Sequence, residues 1–149
     1  MKKGYNMAAG RTPEQIAKMK KLTELGACIF CPEYFAEFHD NPALFETEHW
    51  LVTKNDYPYE HTSLHLLVAA KTHVSDMSEL DAKARADFME TVVTISKVYD
   101  LPSYAVGIRV GDFHFNGGSV EHLHAHVIVG TRNDKTFEPV KMKLTSLPK

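Results

Sequence analysis

The stretch from His122 to Gly130, HLHAHVIVG, constrains the fold more than any other part of the chain. A β-strand sends successive side chains to opposite faces. This order therefore lines His122, His124 and His126 along one face and Leu123, Ala125, Val127 and Val129 along the other. A helix would turn the imidazoles by about 200° from one to the next and scatter both groups. The stretch is expected as a strand whose apolar side packs on a core. Three neighbouring imidazoles repel one another if all are protonated, so the cluster costs stability unless a metal or a phosphate compensates. Two uses stay open: metal ligation by neutral imidazole, or nucleophilic catalysis at phosphorus. In the second, one His attacks while its neighbours orient it, and the loop amides of Gly117, Gly118 and Ser119 bind phosphate oxygens.

The rest of the chain supplies a sheet for that strand. Apolar runs or alternations over ALFETEHWLVTKN, SLHLLVAA and SYAVGIRVG predict a strand or hairpin and two further strands. Leu80, Ala84, Phe88, Val92, Ile95 and Val98 recur at three or four residues and predict one long helix, ended at Leu101-Pro102. Thr12, Pro13 and Gln15 carry an N-terminal helix signature, with Gly26 just past its end and Ile16, Met19, Leu22 and Leu25 as the inward stripe. PEYFAEFHD predicts a short turn of helix, and DFHFNGG a glycine-bearing loop. Strands grouped around one long helix make an α+β domain with a mainly antiparallel sheet. The 149 residues fit one domain over 12–130, with residues 1–11 a flexible leader and 131–149 a tail without clear patterning. A net charge of −2, with its basic residues dispersed, argues against a nucleic-acid polymer as partner. No apolar run approaches the ~18 residues of a membrane span and no secretory signal is evident, so a cytoplasmic location away from membranes is expected.

GGSVEHLHAHVIVG resembles the signature of the histidine-triad (HIT) family of nucleotide hydrolases and transferases, in which His-x-His-x-His alternates with apolar residues after a Gly/Ser loop. TSLHLLVAAKTHV is similar to that family's upstream strand and loop, and CIFC to its first segment. The resemblance spans about Cys28 to Gly130. It implies a HIT-like fold and a covalent nucleotidyl-histidine at His124, formed from a purine nucleoside phosphoramidate or a dinucleoside polyphosphate. By the same resemblance His126 and Ser119 contact phosphate, the His122 carbonyl orients the nucleophile, and His65 supports the triad, with an ordinary core histidine as its alternative. Ile29 and Phe30 match positions lining a base pocket, where two plain core residues are the alternative. Asn55 matches a position reaching the ribose, where a turn residue would serve equally. Gly118 stands where hydrolase branches carry Gln, so the loop is more similar to the branch of dinucleoside polyphosphate phosphorylases. The loop RVGDFHFNGGS is longer than the family's usual stretch, which leaves His114 and Asn116 without an assigned place. A homodimer through residues 78–100 and strand edges is implied, while Trp50 reads as a core or edge-strand residue.

Cys28 and Cys31 form a Cys-x-x-Cys pair, which alone is compatible with redox chemistry, two buried thiols or half a zinc site. The resemblance supplies the remaining zinc ligands as His73 and His122. A site with all four positions filled is structural. A rival reading, a catalytic zinc held by His122, His124 and His126, requires an open fourth position and a bound water. No organic cofactor is implied. A further alternative is a nucleotide-binding module with little turnover.

Overall fold

The computed structural model describes residues 4–132, 135 and 138–147. Strands β1 (Ala43–Glu46), β2 (Trp50–Lys54), β3 (Thr62–Ala70), β4 (Ala105–Ile108) and β5 (His124–Gly130) form a single sheet in the order β1-β2-β3-β5-β4. Every neighbouring pair is antiparallel, giving the expected α+β domain. The alternation of side chains sorts the two faces. Trp50, Val52, Leu66, Val68, Ala70, Ala125 and Val127 form one core with Ala84, Phe88, Val92 and Ile95 of the long helix α3 (Ala82–Val98). The Trp50 indole donates to the Ala84 carbonyl at 2.8 Å, so its buried N–H is satisfied. Of the expected helical stripe, Val98 is exposed, because Tyr99 already caps the helix and the last turn has left the sheet.

The opposite face carries His65, Leu67, Ala69, His124 and His126. Leu67 and Ala69 are covered by Leu22 of α1 (Pro13–Leu25) and by the turn Ala27–Cys31, which leads into α2 (Pro32–Phe38). Thr12 caps α1 by accepting from the Gln15 amide, and Gly26 closes it at a positive φ of 63°, which Gly adopts without steric cost. Gln15 reaches back to the Arg11 amide at 2.8 Å, one residue before the expected capping-box partner. Leu25, expected on the inward stripe, is 56% exposed, and buried Gln15 takes a place on the inward face instead.

Three further expectations are corrected. The strand expected from His122 begins at His124; the Leu123 amide instead donates to Val74 and its carbonyl accepts from Ala70, which turns His122 away from the ladder. The DFHFNGG loop contains one helical turn, α4 (Phe113–Asn116), ended by Gly117 at φ 78°. The leader, read as unanchored for want of periodic apolar residues, is bonded to the domain from Gly4 onwards. Tyr5 bridges Val120, its hydroxyl donates to the Ala27 carbonyl and accepts from the Ile29 amide, and Asn6 donates to the Ser119 carbonyl. A single aromatic anchor leaves no periodic signal. No helix among the described residues is long and apolar enough to cross a membrane.

Candidate active site and metal cluster

Strand pairing sets His124 opposite Ala69 and His126 opposite Leu67. The His124 Nδ1 lies 2.7 Å from the His122 carbonyl oxygen. A carbonyl can only accept, so Nδ1 carries the proton and Nε2 keeps its lone pair. Burial pushes the His124 pKa down to about 4, with Arg109 adding to the fall, and the ring is neutral at pH 7. The Phe30 ring packs against it with centroids 4.8 Å apart. A neutral imidazole with a fixed free Nε2 is what nucleophilic attack on phosphorus requires.

His126 belongs to a second bonded chain. The Tyr59 amide donates to His65 Nδ1 at 3.0 Å, so a neutral His65 carries its proton on Nε2. That nitrogen lies 2.8 Å from His126 Nδ1 and donates to it, leaving the His126 proton on Nε2. Burial lowers the His65 pKa to about 4 and the His126 pKa well below the ordinary value, so both rings stay neutral. The Asn55 amide nitrogen, 3.2 Å from His65 Nε2, packs beside this bond, and its carbonyl oxygen accepts from Tyr57. The Tyr59 ring packs on His65 and His126, with centroids 4.5 and 5.4 Å away, and the Arg11 guanidinium lies 4.6 Å from its centre.

These groups open into a cavity of about 380 Å³, within the range of small-molecule sites. Ile29, Phe30, Asn55, Ser119, His124 and His126, all singled out from the sequence, line it. Gly117 lines it too, but its amide donates to Ser146 Oγ at 3.0 Å. The Gly118 amide donates to Asn116 Oδ1 at 3.0 Å. Two of the three amides expected to hold phosphate are therefore spent within the protein, because the tail and the Asn116 side chain fold back onto the loop. Gly118 is tightly placed, since a Cβ there would stand 2.9 Å from Asn116 Oδ1.

Sequence reasoning missed Arg11, Tyr59, Arg109, Lys141 and Lys143, which complete the wall. Gly107 pairs with His126 across β4 and β5, so period two continued past the strand end points Arg109 to the imidazole face. No comparable signal marks the tail. Asp56 also lines the cavity but is engaged: it accepts from the Asp40 and Asn41 amides and lies 3.5 Å from Lys18 Nζ.

His122 faces the other way, into a cluster with Cys28, Cys31 and His73 whose donor atoms all lie within 4.8 Å of one another. Cys28 Sγ is 3.4 Å and Cys31 Sγ 3.6 Å from His122 Nδ1, Cys31 Sγ is 3.3 Å from His73 Nδ1, and the two Nδ1 atoms are 3.1 Å apart. The edges of a zinc tetrahedron with ordinary bond lengths are about 3.4 Å between nitrogens and about 3.6 Å from nitrogen to sulfur. His122 Nε2 donates to the Ala70 carbonyl at 2.5 Å, which leaves Nδ1 as the ligating lone pair. The cysteines are free of any disulfide, and the donor set fits a four-coordinate metal site. His124 and His126 are not in the cluster, which overturns the three-histidine arrangement: alternate positions share a face, but the backbone leaves the ladder before His122.

The profile of the HIT domain family matches residues 38–133. The chain belongs to that family. Similar solved structures share the HIT fold. A histidine triad protein from Clostridium difficile is 23% identical, with 74% of this chain and 96% of that chain covered and a TM-score of 0.56. A HIT family hydrolase from Legionella pneumophila Philadelphia 1 is also 23% identical, covering 70% and 94% with a TM-score of 0.55. A Zn-bound histidine triad family protein from Mycobacterium smegmatis is 23% identical, covering 77% and 82% with a TM-score of 0.54. No curated protein sequence matches this chain. The matched HIT region contains the triad, His65, His73 and Arg109. Arg11, Cys28, Cys31 and the tail residues Lys141 and Lys143 lie outside it.

Proposed function

We propose that this HIT protein is a nucleotidyl hydrolase or transferase acting on purine nucleoside phosphoramidates or dinucleoside polyphosphates. The observation that carries this reading is the bond from His124 Nδ1 to the His122 carbonyl, which aims a free Nε2 lone pair into the cavity. That lone pair forms an N–P bond to the α-phosphorus. The bond from phosphorus to the leaving nitrogen or oxygen breaks, its electron pair stays with the leaving group, and a solvent proton neutralises it. Water then attacks the phosphorus, the N–P bond breaks with its pair returning to Nε2, and the mononucleotide leaves. His126 Nε2–H and Ser119 bind the phosphate oxygens. Ile29 and Phe30 receive the base, and Asn55 faces the ribose.

Zinc is the metal proposed for Cys28, Cys31, His73 and His122, supported by the donor geometry and by the zinc-bound relative. It supplies folding energy, tying the Ala27–Cys31 turn to the residue whose carbonyl holds the nucleophile. A homodimer through residues 78–100, where Met89 and Val93 are exposed, and a cytoplasmic location complete the proposal.

A second acceptor is favoured by Gly118. Without a side chain there, inorganic phosphate can take the nucleotidyl group in place of water, releasing a nucleoside diphosphate as in the phosphorylase branch. The test is nucleotide release from adenosine phosphoramidate and from a diadenosine polyphosphate, with and without phosphate, alongside His124→Ala and acid-quench mass spectrometry of the adduct. The expected result is AMP from the wild-type chain, an adenylylated His124 peptide and silence in the variant. Added phosphate yielding ADP assigns the phosphorylase. A wild-type chain that binds AMP yet turns over neither substrate is a nucleotide-binding module and overturns the catalytic reading.

A further inference from the structure

We propose that Arg109, clasped by the chain's own C-terminal segment, is an additional phosphate-binding catalytic residue of this site; the catalytic part of this rests on the nucleophile reading above. Three of its nitrogen positions are accounted for unequally. Nε and Nη2 both donate to the Lys143 carbonyl, at 2.9 and 2.7 Å, and Nη2 also donates to the Tyr59 hydroxyl at 3.1 Å. Nη1 points instead at His126 Nε2, 3.4 Å away. The bonded chain through Tyr59 and His65 leaves His126 with its proton on Nε2, so this close approach joins two donors and no acceptor. Only an acceptor held between them satisfies both, and an oxygen of a phosphoryl group beside His124 is such an acceptor. Among the described residues no carboxylate pairs with Arg109, so its charge is not cancelled.

The clasp explains how a surface tail enters the site. Lys143 is brought to Arg109 by close packing at two glycines. A Cβ on Gly107 would stand 2.5 Å from Met142 Sδ, and one on Gly117 would stand 2.8 Å from the Lys143 carbonyl oxygen. Ser146 closes the far end: its amide donates to the Phe115 carbonyl, and its Oγ accepts from the Gly117 amide. The tail thus occupies one of the loop amides that the sequence offered to phosphate, that of Gly117, and holds a guanidinium beside the site. Lys141 and Lys143 from the same segment line the cavity and add positive charge. A guanidinium fork suits this task because two of its edges can be held while the third faces the ligand.

The experiment measures AMP and adenosine affinity by calorimetry, and kcat and KM for AMP release, in wild type, Arg109→Ala, Arg109→Lys and the double variant Met142→Asp/Ser146→Ala. Arg109→Ala is expected to reduce the AMP-over-adenosine preference at least tenfold while leaving adenosine affinity unchanged, and to lower kcat by about 10²–10³-fold, as for loss of one oxyanion donor. Arg109→Lys is expected not to restore it, because a single ammonium cannot hold the clasp and the phosphate together. The double variant is expected to move the preference in the same direction by at least threefold. An unchanged preference in Arg109→Ala overturns the proposal, and an unchanged preference in the double variant overturns the part given to the tail. If Arg109→Ala lowers the melting temperature, Arg109→Gln serves as the stable replacement for the same measurement. Activity surviving in His124→Ala would reject the nucleophile reading, while the AMP-to-adenosine ratio would still decide for or against Arg109.

Discussion

His122 and His124 stand two residues apart and do opposite things, because a different nitrogen is tied down in each. In His122 the Ala70 carbonyl takes Nε2–H and leaves Nδ1 to the cysteine cluster. In His124 the His122 carbonyl takes Nδ1–H and leaves Nε2 to the cavity. The first ring is closed in among four converging donors; the second faces about 380 Å³ of open site. One backbone carbonyl per ring therefore separates the proposed zinc ligand from the proposed nucleophile, with no difference in side-chain chemistry. The two regions are also joined, since the proposed zinc ligand His122 is the residue whose carbonyl accepts from His124 Nδ1.

The sharpest break comes from His124→Ala, expected to lower nucleotide release by about 10⁴-fold or more in a steady-state assay. Metal analysis of the same variant should still find zinc at the wild-type ratio, which separates the two rings directly. Cys28→Ser, or a chelator, should do the reverse. Bound zinc is lost first, and the melting temperature falls by roughly 10 °C, equivalent to about 3 kcal/mol for a chain of this size. Zinc lost in His124→Ala but retained in Cys28→Ser would invert the assignment.

A third test concerns the neutral rings on the cavity side. Folding holds the His65 pKa down at about 4, below its ordinary 6.5, so the folded state resists protonation. Above pH 6.5 both states are neutral and stability is flat. As pH falls from 6.5 towards 4 the unfolded chain binds the proton first, and stability is lost, by on the order of 3 kcal/mol for this ring alone. Denaturant melts of wild type and His65→Gln between pH 7 and pH 4 should show that slope reduced in the variant. Equal slopes would mean that His65 titrates freely. The smallest effect is expected at Leu25, which is 56% exposed and outside both regions. Leu25→Lys should change unfolding free energy by less than about 0.5 kcal/mol, and a larger loss would show a contact that the described residues lack.

Much of this organisation was legible in the residues themselves. Alternation over His124–Val127 gave the two faces of β5, periodicity over Ala84–Ile95 gave the buried side of α3, and Thr12 with Gly26 bracketed α1. The Cys-x-x-Cys pair and His73 were recognisable through the family resemblance, and the converging donor atoms agree with it. Tyr5 and Tyr59 escaped because each acts alone, through one ring and one hydroxyl, and a single aromatic residue in a loop has no period to detect.

Which residue types share a face could be read from the order of residues alone, because it follows from the backbone repeat of a strand or helix and needs no neighbour. The same alternation crowds several imidazoles together, but it is burial in the folded domain that holds His65, His124 and His126 neutral. For His124 the family resemblance already points to the His122 carbonyl two residues away, whereas the free nitrogen of His122 is set by packing, since it depends on a carbonyl arriving from Ala70. The tertiary structure alone decided that the Gly117 and Gly118 amides are spent and that Lys143 holds Arg109 beside His126. Hydrogen bonds between residues far apart in the chain leave no local pattern, because their partners are selected by the packing of the whole domain.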